Sequence, residues 1–133
     1  MNNPWQSGKS YEEFMGRWSR LVAQKFLAWL NLTVGLRWLD VGCGTGSLTR
    51  LILETCQPAE IIAVDASNEF IAHARQTITH PAVHFKVGLA QSLEVDTDSI
   101  DAVVSGLVLN FVPQPQDALA EMLRVTRPGG TIG

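Results

Sequence analysis

Cysteine is scarce in this chain: two residues in 133, Cys43 and Cys56. One pair cannot build the disulfide framework of a small secreted domain, so a reduced, cytoplasmic protein is expected. Long apolar runs are missing as well. No stretch approaches the ~18 residues that suggest a spanning helix, so no membrane span is expected. Met1-Asn2-Asn3-Pro4-Trp5 has neither the basic start nor the apolar stretch of a secretory signal. Charge is low, at 17% of residues, with a net of −3, which excludes a global nucleic-acid footprint. His73, His80, His84 and the two cysteines do not fall at zinc-ligand spacings, so no metal is expected.

What the chain does have is apolar content, 46% of its residues. That is enough for a core and too much for disorder. The length allows a single domain, taken as residues 1–133. Charge and aromatics are uneven along it. Residues 1–37 carry five basic and two acidic side chains, while residues 38–133 carry five basic and eleven acidic ones. Seven of the ten aromatics lie in the first 38 residues.

Residues 1–10 are polar and are expected to be disordered. Gly8-Lys9-Ser10 echoes the end of a phosphate-binding loop, but position 3 is Asn3 and no strand precedes it, so that motif fails. Residues 11–35 are expected to form a helical cap. Within it Phe14, Trp18, Leu21, Val22, Phe26 and Trp29 recur at helical spacing. Residues 36–133 then alternate strand with helix. Leu36–Val41, Ile61–Val64, Val83–Val87 and Ile100–Ser105 read as strands. Ser47–Thr55, a helix capped by Ser67, and a helix opened by Pro115 lie between or after them. Phe70, Ile71, Ala74 and Ile78 are expected inside on the second of these helices, and Ala118, Leu119, Met122 and Leu123 on the third. Arg127-Pro128-Gly129-Gly130 reads as a turn, with a fifth strand only beginning at Thr131.

This alternation implies an α/β fold, a doubly wound parallel sheet. Ligands of such sheets bind at the carboxyl ends of the strands, where strand order reverses. The segment at that point is Leu39-Asp40-Val41-Gly42-Cys43-Gly44-Thr45-Gly46-Ser47. Three glycines in five residues let a ligand approach the main chain closely. The dinucleotide fingerprint fits only approximately, since its third glycine position is Ser47. Asp40 ends the strand just before the glycines, where a carboxylate repels a pyrophosphate and attracts an ammonium or sulfonium. The implied ligand is a nucleoside that carries positive charge and no phosphates. Asp65, nineteen residues after Gly46, ends the next strand and is suited to accept hydrogen bonds from ribose hydroxyls.

Leu39 to Gly46 resembles motif I of the class I S-adenosylmethionine-dependent methyltransferases. Ala63-Val64-Asp65-Ala66-Ser67 is similar to motif II. Gly88 to Leu93, Ile100 to Ser105 and Arg124 to Gly130 resemble later segments of the same family, and the nearest group is the small-molecule, type-eleven one. The resemblance implies a Rossmann-like sheet of order 3-2-1-4-5 and the cofactor S-adenosylmethionine, with S-adenosylhomocysteine as product. It places the methionine end near Asp40, Gly42 and Gly44 and the ribose on Asp65, with Cys43 and Gly46 of the same loop beside the cofactor. Ala66, Ala90 and Gln91 then border the adenine. Leu89 stands where the family often has an Asp, so the adenine amino group loses that partner. Ser105 to Leu107 would pass under the methyl group, and Arg17 is either a partner for the methionine carboxylate or a solvated helix residue.

The function implied is methyl transfer to a small-molecule acceptor, with no catalytic residue evident. Two rival readings remain at this point. One is a binding module without catalysis, because the family's sheet normally has seven strands and this chain reaches only the start of the fifth. The other is a nicotinamide-dependent dehydrogenase, disfavoured by Asp40. A sheet stopping there leaves the fourth strand poorly covered, and either self-association through that edge or marginal stability as a monomer is expected.

Overall fold

In a computed structural model, residues 20–106 and 108–133 are described. Their strands are β1 (Arg37–Val41), β2 (Glu60–Asp65), β3 (Val83–Val87), β4 (Ile100–Val104) and β5 (Thr126–Ile132). They form one sheet of order β3-β2-β1-β4-β5, and every neighbouring pair is parallel. Residues 20–30 are helical (α1). The other helices are α2 (Ser47–Thr55), α3 (Asn68–Thr77) and α4 (Pro115–Val125). The expected order is therefore found, and β1, the strand that feeds the glycine loop, lies at its centre.

Side-chain alternation along the strands divides the core between the two faces of the sheet. Leu39, Val41, Ile62, Val64 and Val103 pack with Met122 and Val125 of α4. Trp38, Ile61, Ala102 and Val104 pack on the other face with Leu27 of α1 and Leu51 and Ile52 of α2. Ala63 and Phe85 meet Ile71, Ala74 and Ile78 at α3. β3 is an edge strand, with Phe85 buried and Val87 exposed.

Three helix faces differ from their sequence patterns. In α1, Leu21, Val22 and Trp29 are exposed, while Leu27 is buried and Ala23, Phe26 and Leu30 pack beside it. That set is itself spaced i, i+3, i+4, i+7, so the sequence carries two overlapping stripes and the sheet takes one. In α4 the inner set is Ala118, Met122 and Val125, and Leu119 and Leu123 face outward. In α3, Phe70 is exposed although Ile71 and Ala74 are inside. Phe14 and Trp18 lie outside the described residues.

The fourth strand is not bare. β5 begins at Thr126, five residues before the expected stub, and pairs with β4 from Ile100↔Thr126 to Val103↔Ile132. The Arg127–Gly130 segment read as a turn is part of this strand. A register shift between Ile100 and Ala102 absorbs it, and Gly129 takes a left-handed φ of +81°. Pro128 is tolerated because β5 lies at the sheet edge, where a missing N–H need not break the ladder. The self-association expected of an uncovered β4 therefore loses its basis.

Candidate functional site

The glycine loop is fixed from below by β2. The backbone N–H groups of Gly42 and Cys43 both donate to the Val64 carbonyl, at 2.7 and 3.0 Å. Gly46 donates to Cys43 at 2.9 Å and serves as the N-cap of α2 with φ +93°. The three glycines do different jobs. A β-carbon on Gly42 would lie 2.5 Å from Val108, so Gly42 admits the segment after β4. A β-carbon on Gly46 would lie 2.7 Å from Ile78, so Gly46 admits α3. At Gly44 the φ is +55° and nothing lies within 4 Å of such a carbon. Of the three, only Gly44 turns its bare face to open space, where a ligand can reach the main chain.

Asp65 stands beside it. One carboxylate oxygen accepts the Gly44 N–H at 2.9 Å, and the other accepts the Ser67 N–H at 2.8 Å. A carboxylate has about four lone-pair positions, so both oxygens keep capacity for ribose hydroxyls. Its own carbonyl accepts from Gly88 at 3.0 Å, which brings the segment carrying Ala90 and Gln91 alongside. That segment turns through Ser92 N–H to Leu89 O at 3.1 Å. Ala66 and Leu89 are exposed there, and Ala90 and Gln91 are half-buried.

The other sequence-derived residues point elsewhere. Asp40 is 1% exposed. Its carboxylate does not face the open side of the loop but turns under it, accepting the Thr49 hydroxyl at 2.8 Å. The strand alternation explains this, since Asp40 shares a sheet face with Trp38, the face that α2 covers. Burial pushes its pKa up to about 7, against the lowering effect of Thr49, and Asp65 adds a further rise. Cys43 also turns inward, among Ala63, Ile71, Ala74 and Phe85, so its side chain is a core group. Burial, and then the two aspartates, push its thiol above the ordinary range, the setting of a structural rather than a reactive cysteine. Ser105 ties β4 to β1 by donating its hydroxyl to Val41 O at 2.9 Å. Arg17 and Leu107 lie outside the described residues.

Two groups escaped the sequence reading. Thr49 sits within the apolar stripe of α2, where a hydroxyl reads as an ordinary helix residue. Glu121 and Arg124 of α4 clamp the stretch after the adenine-side turn. Glu121 accepts the Leu93 N–H at 2.7 Å, and Arg124 donates to Leu93 O at 2.9 Å and Val95 O at 2.9 Å. Arg124 also pairs with Glu121 at 2.7 Å. Their i, i+3 spacing is the signal that was available. Arg124→Met is expected to speed amide exchange at Leu93 while β1 and β2 stay protected. Unchanged exchange at Leu93 would show that the clamp is idle.

Among the described residues no group of side chains could hold a metal, and no helix is long and apolar enough to cross a membrane.

A family model described as a methyltransferase domain matches residues 39–133. The malonyl-[acyl-carrier protein] O-methyltransferase of Pectobacterium atrosepticum is 33% identical over 113 residues, spanning 85% of this chain and 43% of that protein. The demethylmenaquinone methyltransferase of Renibacterium salmoninarum is 34% identical over 116 residues, spanning 87% and 46%. The chain thus spans less than half the length of these relatives. Among solved structures, the methyltransferase-like partner of the Trm112 methyltransferase activator from Haloferax volcanii superposes with a TM-score of 0.83 at 29% identity, over 93% of this chain and 53% of that one. The [4+2]-cyclase SpnF gives 0.74 at 29%, over 98% and 47%. The open face at Gly44 and the unspent acceptor capacity of Asp65 fit S-adenosylmethionine, the family's cofactor. With its loop, its sheet order and these likenesses together, the chain belongs to the S-adenosylmethionine-dependent methyltransferase domain family.

Proposed function

We propose that this chain binds S-adenosylmethionine at the Gly44–Asp65 corner and serves methyl transfer to a small-molecule acceptor. The observation that carries the reading is the pairing of an open left-handed glycine with a strand-end carboxylate that still has lone pairs to offer. Bound there, the cofactor would supply an electrophilic methyl group on a sulfonium, a good leaving group. The chain's own residues then have mainly to bind and align. Asp65 holds the ribose and orients Gly44 through the 2.9 Å bond. Ala66, Ala90 and Gln91 border the adenine, with Leu89 leaving it to packing and main chain. Alignment of this kind can supply much of a rate acceleration without a general base.

The named acceptors of the relatives differ, malonyl-[acyl-carrier protein] in one and demethylmenaquinone in another. The likeness therefore supports the cofactor half of the reaction more than any one acceptor. A second reading, a domain of this fold that transfers no methyl group, is favoured by the likeness to SpnF, which is named as a [4+2]-cyclase, because one fold can host several reactions. Methyl transfer to a panel of small acceptors, read as S-adenosylhomocysteine formed, separates the two. Cofactor binding with no product across the panel favours the second. The free thiols of Cys43 and Cys56 suit a reducing cytoplasm.

Asp65→Ala is expected to weaken binding by about 1–3 kcal/mol, the loss of a charged hydrogen-bond acceptor. Calorimetry that returns the parent affinity would remove the ribose from Asp65.

A further inference from the structure

Asp40 is a buried carboxylate, and among the described residues no cation pairs with it. Its lateral neighbours in the sheet are apolar, Ala63 of β2 and Val104 of β4. From the loop it faces the Cys43 thiol, which stays protonated. From the end of β2 it feels the negative charge of Asp65. From α2 it receives the Thr49 hydroxyl, 0% exposed and 2.8 Å away, together with the Thr49 backbone N–H. Arg50, the next residue of α2, turns away and donates to Thr77 O at 3.0 Å. Among the described residues, α3 offers only Ile71 and Ala74 as buried groups on this side.

An unpaired buried anion is costly, and so is a buried acceptor left without a donor. Asp40 can therefore be ionised at low cost only when something positive arrives above the loop, and only while Thr49 donates to it. A sulfonium brings a charge that the demethylated thioether lacks, although both ligands carry the same ammonium. We propose that Thr49 is a positioning residue that holds Asp40 as a proton-linked charge sensor, so that the site distinguishes the sulfonium cofactor from its neutral thioether product. Binding of the sulfonium expels a proton from Asp40 to solvent. The thioether expels less.

The sign follows from linkage. Burial at 1% exposure pushes the Asp40 pKa up to about 7. A cation above it lowers that value, so affinity for the cation rises as pH rises towards 7 and levels off beyond. The raised value has the opposite effect on the free fold, which loses stability as pH climbs from the ordinary carboxylate range through 7.

This inference rests on the cofactor reading above, and the experiment separates the two. Calorimetric titration of the full chain with S-adenosylmethionine and with S-adenosylhomocysteine, between about pH 5.5 and 8.5, gives the affinity ratio of the two ligands. In buffers of different ionisation enthalpy it also gives the protons released. The ratio is expected to rise by about tenfold across that range, one pH unit of linkage. Thr49→Val keeps the shape but removes the donor, and should move the midpoint of this rise to higher pH. Thr49→Ser should bring it back. A ratio that stays flat in the parent overturns the inference while leaving the cofactor reading intact, and so does a Thr49→Val curve that matches the parent. Failure of both ligands to bind at any pH overturns the cofactor reading itself. Should Thr49→Val unfold, seen by circular dichroism, the parent's proton count decides: a release equal for both ligands refutes the sensor.

Discussion

A Gly44→Val protein is expected to fold and to lose its cofactor. The new side chain meets no protein atom, since nothing lies within 4 Å of a β-carbon at this position. Its backbone must hold φ +55°, which costs an L-residue about 1–2 kcal/mol, a loss that a typical domain survives. The ligand side has no such tolerance. Two methyl groups would fill the space through which the cofactor reaches the main chain, and affinity should fall by at least about 100-fold, or about 2.8 kcal/mol. Gly46→Val is the internal control. Its β-carbon would press to 2.7 Å of the Ile78 side chain and 3.4 Å of Phe85, at φ +93°. Overpacking of this kind costs about 1–3 kcal/mol, with backbone strain added. Two glycines two residues apart should thus separate, one in binding and one in stability. Circular dichroism and calorimetry on both variants check this. If Gly44→Val unfolds, or if it binds with the parent affinity, Gly44 is not the cradle.

The glycine loop was legible because its composition has few other uses. Glycines this dense weaken a chain, and a strand before them with a helix after them places the loop in the fold. Asp65 was legible for the same reason, through its distance from the loop. The direction in which Asp40 points was not. Alternation says that Asp40 lies on the face of Trp38, but not that α2 covers that face and brings Thr49 under the loop. Thr49 was hidden because its partner comes from another element. β5 was hidden by its own composition, since Arg127-Pro128-Gly129-Gly130 has the chemistry of a turn. It becomes a strand because the register shift opposite Ile100 and Ala102 accommodates a segment that cannot ladder evenly. In α4 the inner and outer sets differ by one residue, about 100° of helix, and both are apolar. Only the packing of Met122 and Val125 against β1, β2 and β4 selects between them.

Trp38 offers the largest expected effect on stability. It is 1% exposed in the central strand, among Leu27, Leu51, Ile52, Ile61, Ala102 and Val104. Trp38→Ala removes the largest side chain of that cluster and is expected to cost about 3–5 kcal/mol. A domain of ordinary stability, about 5–15 kcal/mol, would be left marginal or unfolded. The indole is not an ideal occupant, however. Its Nε1 is buried with no hydrogen-bond partner among the described residues. A buried donor left unpaired costs about 1–3 kcal/mol. Trp38→Phe therefore gives up volume but removes that penalty, and should stay within about 1 kcal/mol of the parent once the opposing terms are set against each other. Urea unfolding measures both variants, with the midpoint reporting stability and an unchanged slope confirming the same transition. A Trp38→Phe protein as unstable as Trp38→Ala would mean that the indole N–H is bonded in solution and contributes through that bond. A Trp38→Ala protein close to the parent would mean that α1 and α2 collapse onto the sheet without the ring, and that this face of the core is not where the fold takes its stability.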